Sequence, residues 1–321
     1  MTNRLRSIDV VRGLAACAVV LCHADGRFAF GAAGVDFFFI VSGVVMVGAA
    51  TGRTASEFMI ARLWRVFPIY WIALLPWVVW AAMRGPVSGG AMIREFLLWP
   101  HWFDGTVPWF FLAWTLVFEF LFYAAAAVTI RRRSAALPIL IFVLAAGAWG
   151  SGISDRLMWV GNPMILEFLF GVLIAKLPKN ETAGLRCLGV GIVWLIFSLG
   201  TDAAIGFEEF WPALTRVLLW GFPAALTVYG LVSMERRFTG RLVGGLCFLG
   251  GASYSIYLFH PLIVDHLIAP WPVKFIAGIA FGVAAWAVFE RPMLKMRPLA
   301  AWRRLRASPA TIAPGGDGAM C

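Results

Sequence analysis

Apolar runs long enough to cross a bilayer recur along this chain from end to end, broken only by short basic or Gly/Pro-rich stretches. Hydrocarbon offers backbone N–H and C=O groups no partner, so a spanning run of this kind is read as a helix. The 321 residues are 61% hydrophobic and 14% charged, where a soluble domain carries about a quarter charged residues. Ten spans are placed near residues 8–26, 31–50, 67–83, 107–130, 135–150, 160–175, 187–200, 213–233, 243–267 and 273–290. The expected fold is therefore an all-α, polytopic membrane helix bundle, with a single transmembrane domain over 1–298. Residues 299–321, rich in Ala, Pro and Gly, are expected to form a disordered cytoplasmic tail. Spans 135–150 and 187–200 are short for a ~30 Å hydrocarbon core, so either their boundaries lie elsewhere or those helices sit inside the bundle.

A net charge of +10 could suggest nucleic acid, but the basic residues are not spread evenly. They cluster between alternate spans: Arg4, Arg6 and Arg12; Arg53, Arg62 and Arg65; Arg131 to Arg133; Lys176, Lys179 and Arg186; Arg236, Arg237 and Arg241; and the segment after Glu290. Such a bias obeys the positive-inside rule and places both termini in the cytoplasm, which leaves no nucleic acid to explain. Arg216 counts among the few cations at an outer end. Cys17, Cys22, Cys187, Cys247 and Cys321 show no C-x-x-C spacing, so neither a disulfide frame nor a metal site is expected. "LAAC" at Leu14–Cys17 resembles a lipoprotein processing box, but Arg12 leaves no room for the apolar region a signal peptide needs. The first span is expected to stay.

Ionisable side chains inside such spans are costly and default to function. In "RGLAACAVVLCH", Arg12 and His23 are eleven positions apart, ~16.5 Å of rise and only ~20° of rotation on a helix. They share one face, Arg12 toward the cytoplasmic end and His23 deeper. In "GVDFFFIVSG", Asp36 falls at a depth comparable to His23, and a carboxylate there could hold the imidazole's tautomer. Ser42, two turns further on, is expected to bond back to its own helix. "WTLVFEFLFY" sets Trp114, Glu119 and Tyr123 in an apolar helix, where Glu119 needs a partner such as Arg12 or a basic ligand. "SYSIYLFHP" adds Ser253, Tyr254, Ser255, Tyr257 and His260, a polar stripe suited to a cavity. The segment 51–66 reads as an amphipathic surface helix with Arg62 and Arg65 on one face, and Glu290 and Arg291 are expected to pair with each other. Segment 84–106 offers Trp99 and Trp102 to the interface.

Taken in order, these motifs, with "RLWRVFPIYW" at Arg62–Trp71, "NPMILEFLFG" at Asn162–Gly171 and "ERP" at Glu290–Pro292, resemble the acyltransferase-3 family of bacterial integral membrane acyltransferases. The exopolysaccharide and Nod-factor acetyltransferase-like branch is the most similar, and the resemblance runs from about Ser7 to Pro292. It implies ten transmembrane helices in the bacterial inner membrane and transfer of an acyl group, usually acetyl from acetyl-CoA, to a carbohydrate hydroxyl. It also implies His23 as the catalytic histidine, Arg12 as an essential arginine, and Arg62 and Arg65 as donor contacts. Many relatives carry an additional periplasmic hydrolase-like domain, which this chain is expected to lack.

The expected enzyme is thus an O-acyltransferase with acyl-CoA as co-substrate, no permanently bound cofactor and no metal. Its partners are the lipid bilayer and a polysaccharide, glycolipid or other glycosylated acceptor. His23, Asp36 and Glu119 are the candidate catalytic groups, Arg12, Arg62 and Arg65 the donor site. Ser42, Trp114, Tyr123, Tyr254, Tyr257 and His260 are the candidate cavity and acceptor residues. His23 serves either as general base for direct transfer or as the nucleophile of an acyl-histidine relay. The rival reading is a glycan or lipid-linked sugar transporter, although neither paired broken helices nor inverted repeats are evident.

Overall fold

The computed structural model describes residues 5–99, 101–200 and 206–296, and every regular element among them is helical. Ten apolar helices follow one another: α1 (Arg6–Ala24), α2 (Gly34–Ala50), α3 (Ala55–Arg84), α4 (Trp114–Arg132), α5 (Ala136–Gly150), α6 (Ile165–Lys176), α7 (Glu181–Phe197), α8 (Phe210–Ser233), α9 (Gly240–Phe259) and α10 (Trp271–Lys295). They fall on the ten expected spans and form an all-α polytopic membrane bundle. The expected tail, 299–321, and Cys321 lie outside the described residues.

Seven of these helices are long and apolar enough to cross a membrane by length and composition. The other three, α5, α6 and α7, have 15, 12 and 17 residues. The short span expected at 187–200 starts earlier: the Asn180 side chain accepts the Ala183 N–H and opens α7 at Glu181. Neither α5 nor α7 is sheltered inside the bundle. Helix α5 buries Ala145 and Trp149, and α7 buries Gly184 and Gly191, while Leu144 and Phe197 lie exposed.

The surface helix expected over 51–66 is continuous with the third span. Thr54 and Glu57 form a reciprocal capping box that starts α3, and the helix then runs 30 residues through Pro68 and Pro76. Membrane helices tolerate such prolines because neighbouring groups re-satisfy the freed backbone. Arg62 and Arg65 therefore project from the first half of a long helix and not from a separate surface element.

Helices α1 and α9 pack side by side and run parallel, since Gly13 meets Gly250 and, ten residues on in both, His23 meets His260. The approach at the glycines is so close that a Cβ on Gly250 would fall on the Asp9 carbonyl. The start of α1 is fixed by a carboxylate: Glu235 accepts the N–H groups of Arg6 at 2.6 Å and Ser7 at 3.0 Å. Helices α2 and α6 cross with Gly43 facing Gly171, again leaving no room for a Cβ. Around Phe39 the core is aromatic, with Phe168 stacked at 4.5 Å and Phe118 and Trp114 edge-on. Two helices widen into a π-turn, α8 at Val217–Gly221 and α10 at Trp286–Glu290. Arg216 directly precedes the first, and Glu290 ends the second.

Candidate active site

A cavity of about 730 Å³, its open mouth included, is walled by α1, α2, α3, α4 and α9. It gathers nine of the side chains singled out from the sequence: Arg12, Ser42, Arg62, Arg65, Glu119, Tyr123, Ser253, Tyr254 and Tyr257. Three cations and one carboxylate therefore share one enclosure. Tyr123 donates to Glu119 from one turn along α4, and Ser42 donates to the same carboxylate from α2 at 3.3 Å, so Ser42 does not bond back to its own helix. The Tyr254 hydroxyl donates to the Val66 carbonyl at 2.9 Å and ties α9 to α3. Arg62 Nε is buried and makes no hydrogen bond among the described residues, which leaves it available to an anionic ligand.

At one side of this enclosure stands Glu290, fully buried. Its Oε2 accepts from Ser255 at 2.6 Å and its Oε1 lies 4.0 Å from Arg65, so the expected Glu290–Arg291 pair does not form. Arg291 instead lies over the Trp286 ring, 5.4 Å from its centroid. The π-turn over Trp286–Glu290 re-aims the last carboxylate inward, a turn that helical periodicity alone does not foretell.

His23 and His260 lie apart from the lining of this cavity and touch each other. His23 Nδ1 and His260 Nε2 are 2.6 Å apart, with the rings stacked at 4.9 Å. His260 Nδ1 is 3.1 Å from the Ile256 carbonyl on its own helix. Pro261 follows at once and ends α9 there. Tyr257 separates the cavity from the histidines: its ring lies 6.3 Å from that of His260, and its hydroxyl meets Thr115 at 3.0 Å and donates to the Leu112 carbonyl at 3.1 Å. His260 thus belongs to the histidine pair and not to the cavity wall.

The expected contact between His23 and Asp36 is not formed. Asp36 receives two hydrogen bonds from Arg216, at 3.2 Å from Nε and 2.7 Å from the terminal nitrogen, and both residues are buried. Arg216 also donates to the Ala32 carbonyl at 3.0 Å, and Glu167 of α6 completes the cluster. Comparable depth does not specify rotation about the helix axis, and Asp36 points to α8. Trp114 likewise leaves the cavity and stacks on Phe207 at 4.2 Å. Glu167 is not picked out from the sequence, and Arg216 and Glu290 are read there only as a cation at an outer end and as a partner for Arg291. The available signal was one they share with His23: an ionisable residue inside an apolar run.

The segment before α4 closes over His23, with the Phe111 ring edge-on at 5.4 Å. Glu95, in the short helix Gly89–Leu97, holds this segment by accepting the Trp109 N–H at 3.0 Å. Burial raises the Glu95 carboxyl above its ordinary range, opposed by the backbone N–H groups it accepts. Trp102 donates to the Val117 carbonyl at 3.1 Å and so packs inward, whereas Trp99 stays exposed as expected of an interfacial residue.

Comparison with known proteins agrees with the sequence motifs. The acyltransferase domain family, Acyl_transf_3, matches residues 5–291. The exopolysaccharide production protein ExoZ of Rhizobium meliloti is 31% identical over 86% of this chain and 95% of its own length. Nodulation protein 10 of Rhizobium leguminosarum bv. viciae is 23% identical over 93% of this chain and 96% of its own. BcsY of Komagataeibacter xylinus, provisionally named a membrane-bound transacylase, is 28% identical over 80% of this chain and 72% of its own. No solved structure matches.

Proposed function

The chain belongs to the acyltransferase-3 family and is a multi-pass membrane acyltransferase, and from that premise we propose that it moves an acyl group, acetyl foremost, from cytoplasmic acyl-CoA to a hydroxyl of an extracytoplasmic or lipid-linked glycan. The observation that carries this reading is the convergence of Arg12, Arg62 and Arg65 on one cavity whose Tyr257 wall stands between it and the His23–His260 pair. Coenzyme A is rich in phosphate, and arginine binds phosphate through paired N–H groups. The basic bias of the segments flanking α1 and α3 supports a cytoplasmic mouth in the bacterial inner membrane. The relatives named for exopolysaccharide production and for transacylation support a polysaccharide acceptor.

His23 performs the proton transfer. In direct transfer its imidazole takes the acceptor hydroxyl's proton as that oxygen attacks the thioester carbonyl. The carbon–sulfur bond then breaks and the proton passes to the departing thiolate. In a relay, the imidazole attacks the thioester carbonyl and the carbon–sulfur bond breaks to release the thiolate. The sugar oxygen then attacks the acyl carbon, the carbon–nitrogen bond breaks, and the hydroxyl proton passes to the freed imidazole nitrogen. In both, Glu119, held by Tyr123 and Ser42, offsets part of the charge of the three arginines and leaves the donor cavity net positive for the phosphates of the donor.

Purified protein in lipid nanodiscs, given radiolabelled acetyl-CoA and exopolysaccharide fragments, is expected to transfer label to the glycan. His23→Ala is expected to abolish that transfer, by at least about 100-fold, while its melting temperature stays near that of the parent. Transfer at the parental rate by His23→Ala overturns the assignment. Succinyl-CoA in a parallel reaction reports the acyl specificity.

A further inference from the structure

We propose that His260 is a positioning residue that fixes His23 in the tautomer with a bare Nε2, an inference that rests on the role of His23 given above. A carbonyl oxygen only accepts, so the 3.1 Å contact with Ile256 requires the proton of neutral His260 to sit on Nδ1. Its Nε2 then carries a lone pair and accepts. The partner 2.6 Å away, His23 Nδ1, must be the donor. With Nδ1 protonated, the one lone pair left on the His23 ring is on Nε2, the nitrogen that can take a proton or attack a carbonyl.

The arrangement does for His23 what a carboxylate does for other catalytic imidazoles, but without a charge. His260 is fully buried among Val20, Val264 and Gly278, an environment in which an unpaired carboxylate would be costly. The groups facing the pair are Tyr257 on α9, Phe111 on the segment before α4, and the Asp265 carboxylate, which acts on His23 electrostatically. When His23 Nε2 accepts the hydroxyl proton, the imidazolium keeps Nδ1–H donating to His260, so the hydrogen bond is already in place and strengthens as charge appears. The neutral acceptor raises the basicity of His23 less than a carboxylate would, and its main effect is on tautomer and ring orientation.

The test combines kinetics with a direct view of the rings. The chain contains four histidines, so the imidazole nitrogen signals of 15N-histidine-labelled protein in lipid can be assigned by single substitution. In the parent, His23 is expected to show protonated Nδ1 and bare Nε2. His260→Leu is expected to lose that preference and to lower kcat by about 100-fold, with KM for acyl-CoA unchanged. His260→Gln, whose side-chain oxygen can accept from His23 Nδ1, is expected to recover most of kcat and the parental tautomer. A parental His23 protonated on Nε2, or a His260→Leu enzyme with full kcat, overturns the inference. Equal loss in the Leu and Gln variants does the same. His23→Ala in the same assay separates the two readings: if it is active, the role of His23 fails, whereas an inactive His23→Ala beside a fully active His260→Leu removes only the role of His260.

Discussion

At the scale of single residues, the buried ions divide into those that meet a cavity and those that lock helices. Asp36 belongs to the second kind, bound through Arg216 from α8 with neither group exposed. Removing one partner of a buried pair leaves a desolvated charge and costs about 3–5 kcal/mol, whereas replacing both with apolar groups is close to neutral. Asp36→Asn is therefore expected to lower the melting temperature in detergent while the molecules that remain folded transfer acyl groups at the parental rate. Asp36→Leu combined with Arg216→Met and Glu167→Gln, which removes every charge of the cluster, is expected to melt above Asp36→Leu or Arg216→Met alone. A variant at Asp36 with parental stability and no activity would return that residue to the chemistry. The identities of Arg12, His23, Glu119 and Tyr257 could be read from the chain because an ionisable or hydroxyl group in an apolar helix has few structural reasons to be there. Their partners could not, because a sequence carries the depth of a side chain but not the direction in which its helix is turned. That missing angle separates Asp36 from His23.

At the scale of elements, the histidine pair is a consequence of one helix crossing. Gly13 and Gly250 let the backbones of α1 and α9 touch, and the parallel run of both helices carries that contact ten residues on to His23 and His260. Gly250→Ala would drive a methyl group into the Asp9 carbonyl and pry the helices apart. A displacement of about 1 Å at a reacting group can cost about 100-fold in rate. Gly250→Ala is expected to lose activity on that order, whereas Gly245→Ala on the same helix, with open space around it, is expected to behave as the parent. Comparable rates for the two alanine variants would show that the crossing does not set the histidine geometry. The ten helices themselves were legible, because hydrophobic length is a strong signal. The continuity of α3 through Pro68 was less so, since proline reads as a boundary in water and is tolerated in a membrane bundle. The π-turns that place Arg216 and Glu290 leave no mark in hydrophobic periodicity.

At the scale of the whole molecule, the two candidate centres lie toward opposite ends of α1. Arg12 opens onto the cavity of cations, and His23 lies ~16.5 Å further along the helix, beyond the ring of Tyr257. An enzyme so arranged can take its donor from one side of the membrane and its acceptor from the other without opening a continuous path for water. The proposed sidedness rests on the charge bias, which assigns the end of the bundle bearing Arg62, Arg65 and Ser56 to the cytoplasm and the end bearing His23 and Asp265 to the outside. Ser56 and Asp265 are both exposed, so a cysteine at either reports its side of the membrane. In a background freed of native cysteines, Ser56→Cys is expected to react with a membrane-impermeant thiol reagent in inside-out vesicles alone, and Asp265→Cys in right-side-out vesicles alone. Acetyl-CoA added to the bath is expected to support transfer in inside-out vesicles and not in right-side-out ones. Labelling of both cysteines from one side would mean that the arginine cavity and the histidine pair open to the same compartment, and the division of donor from acceptor across the bundle would be lost.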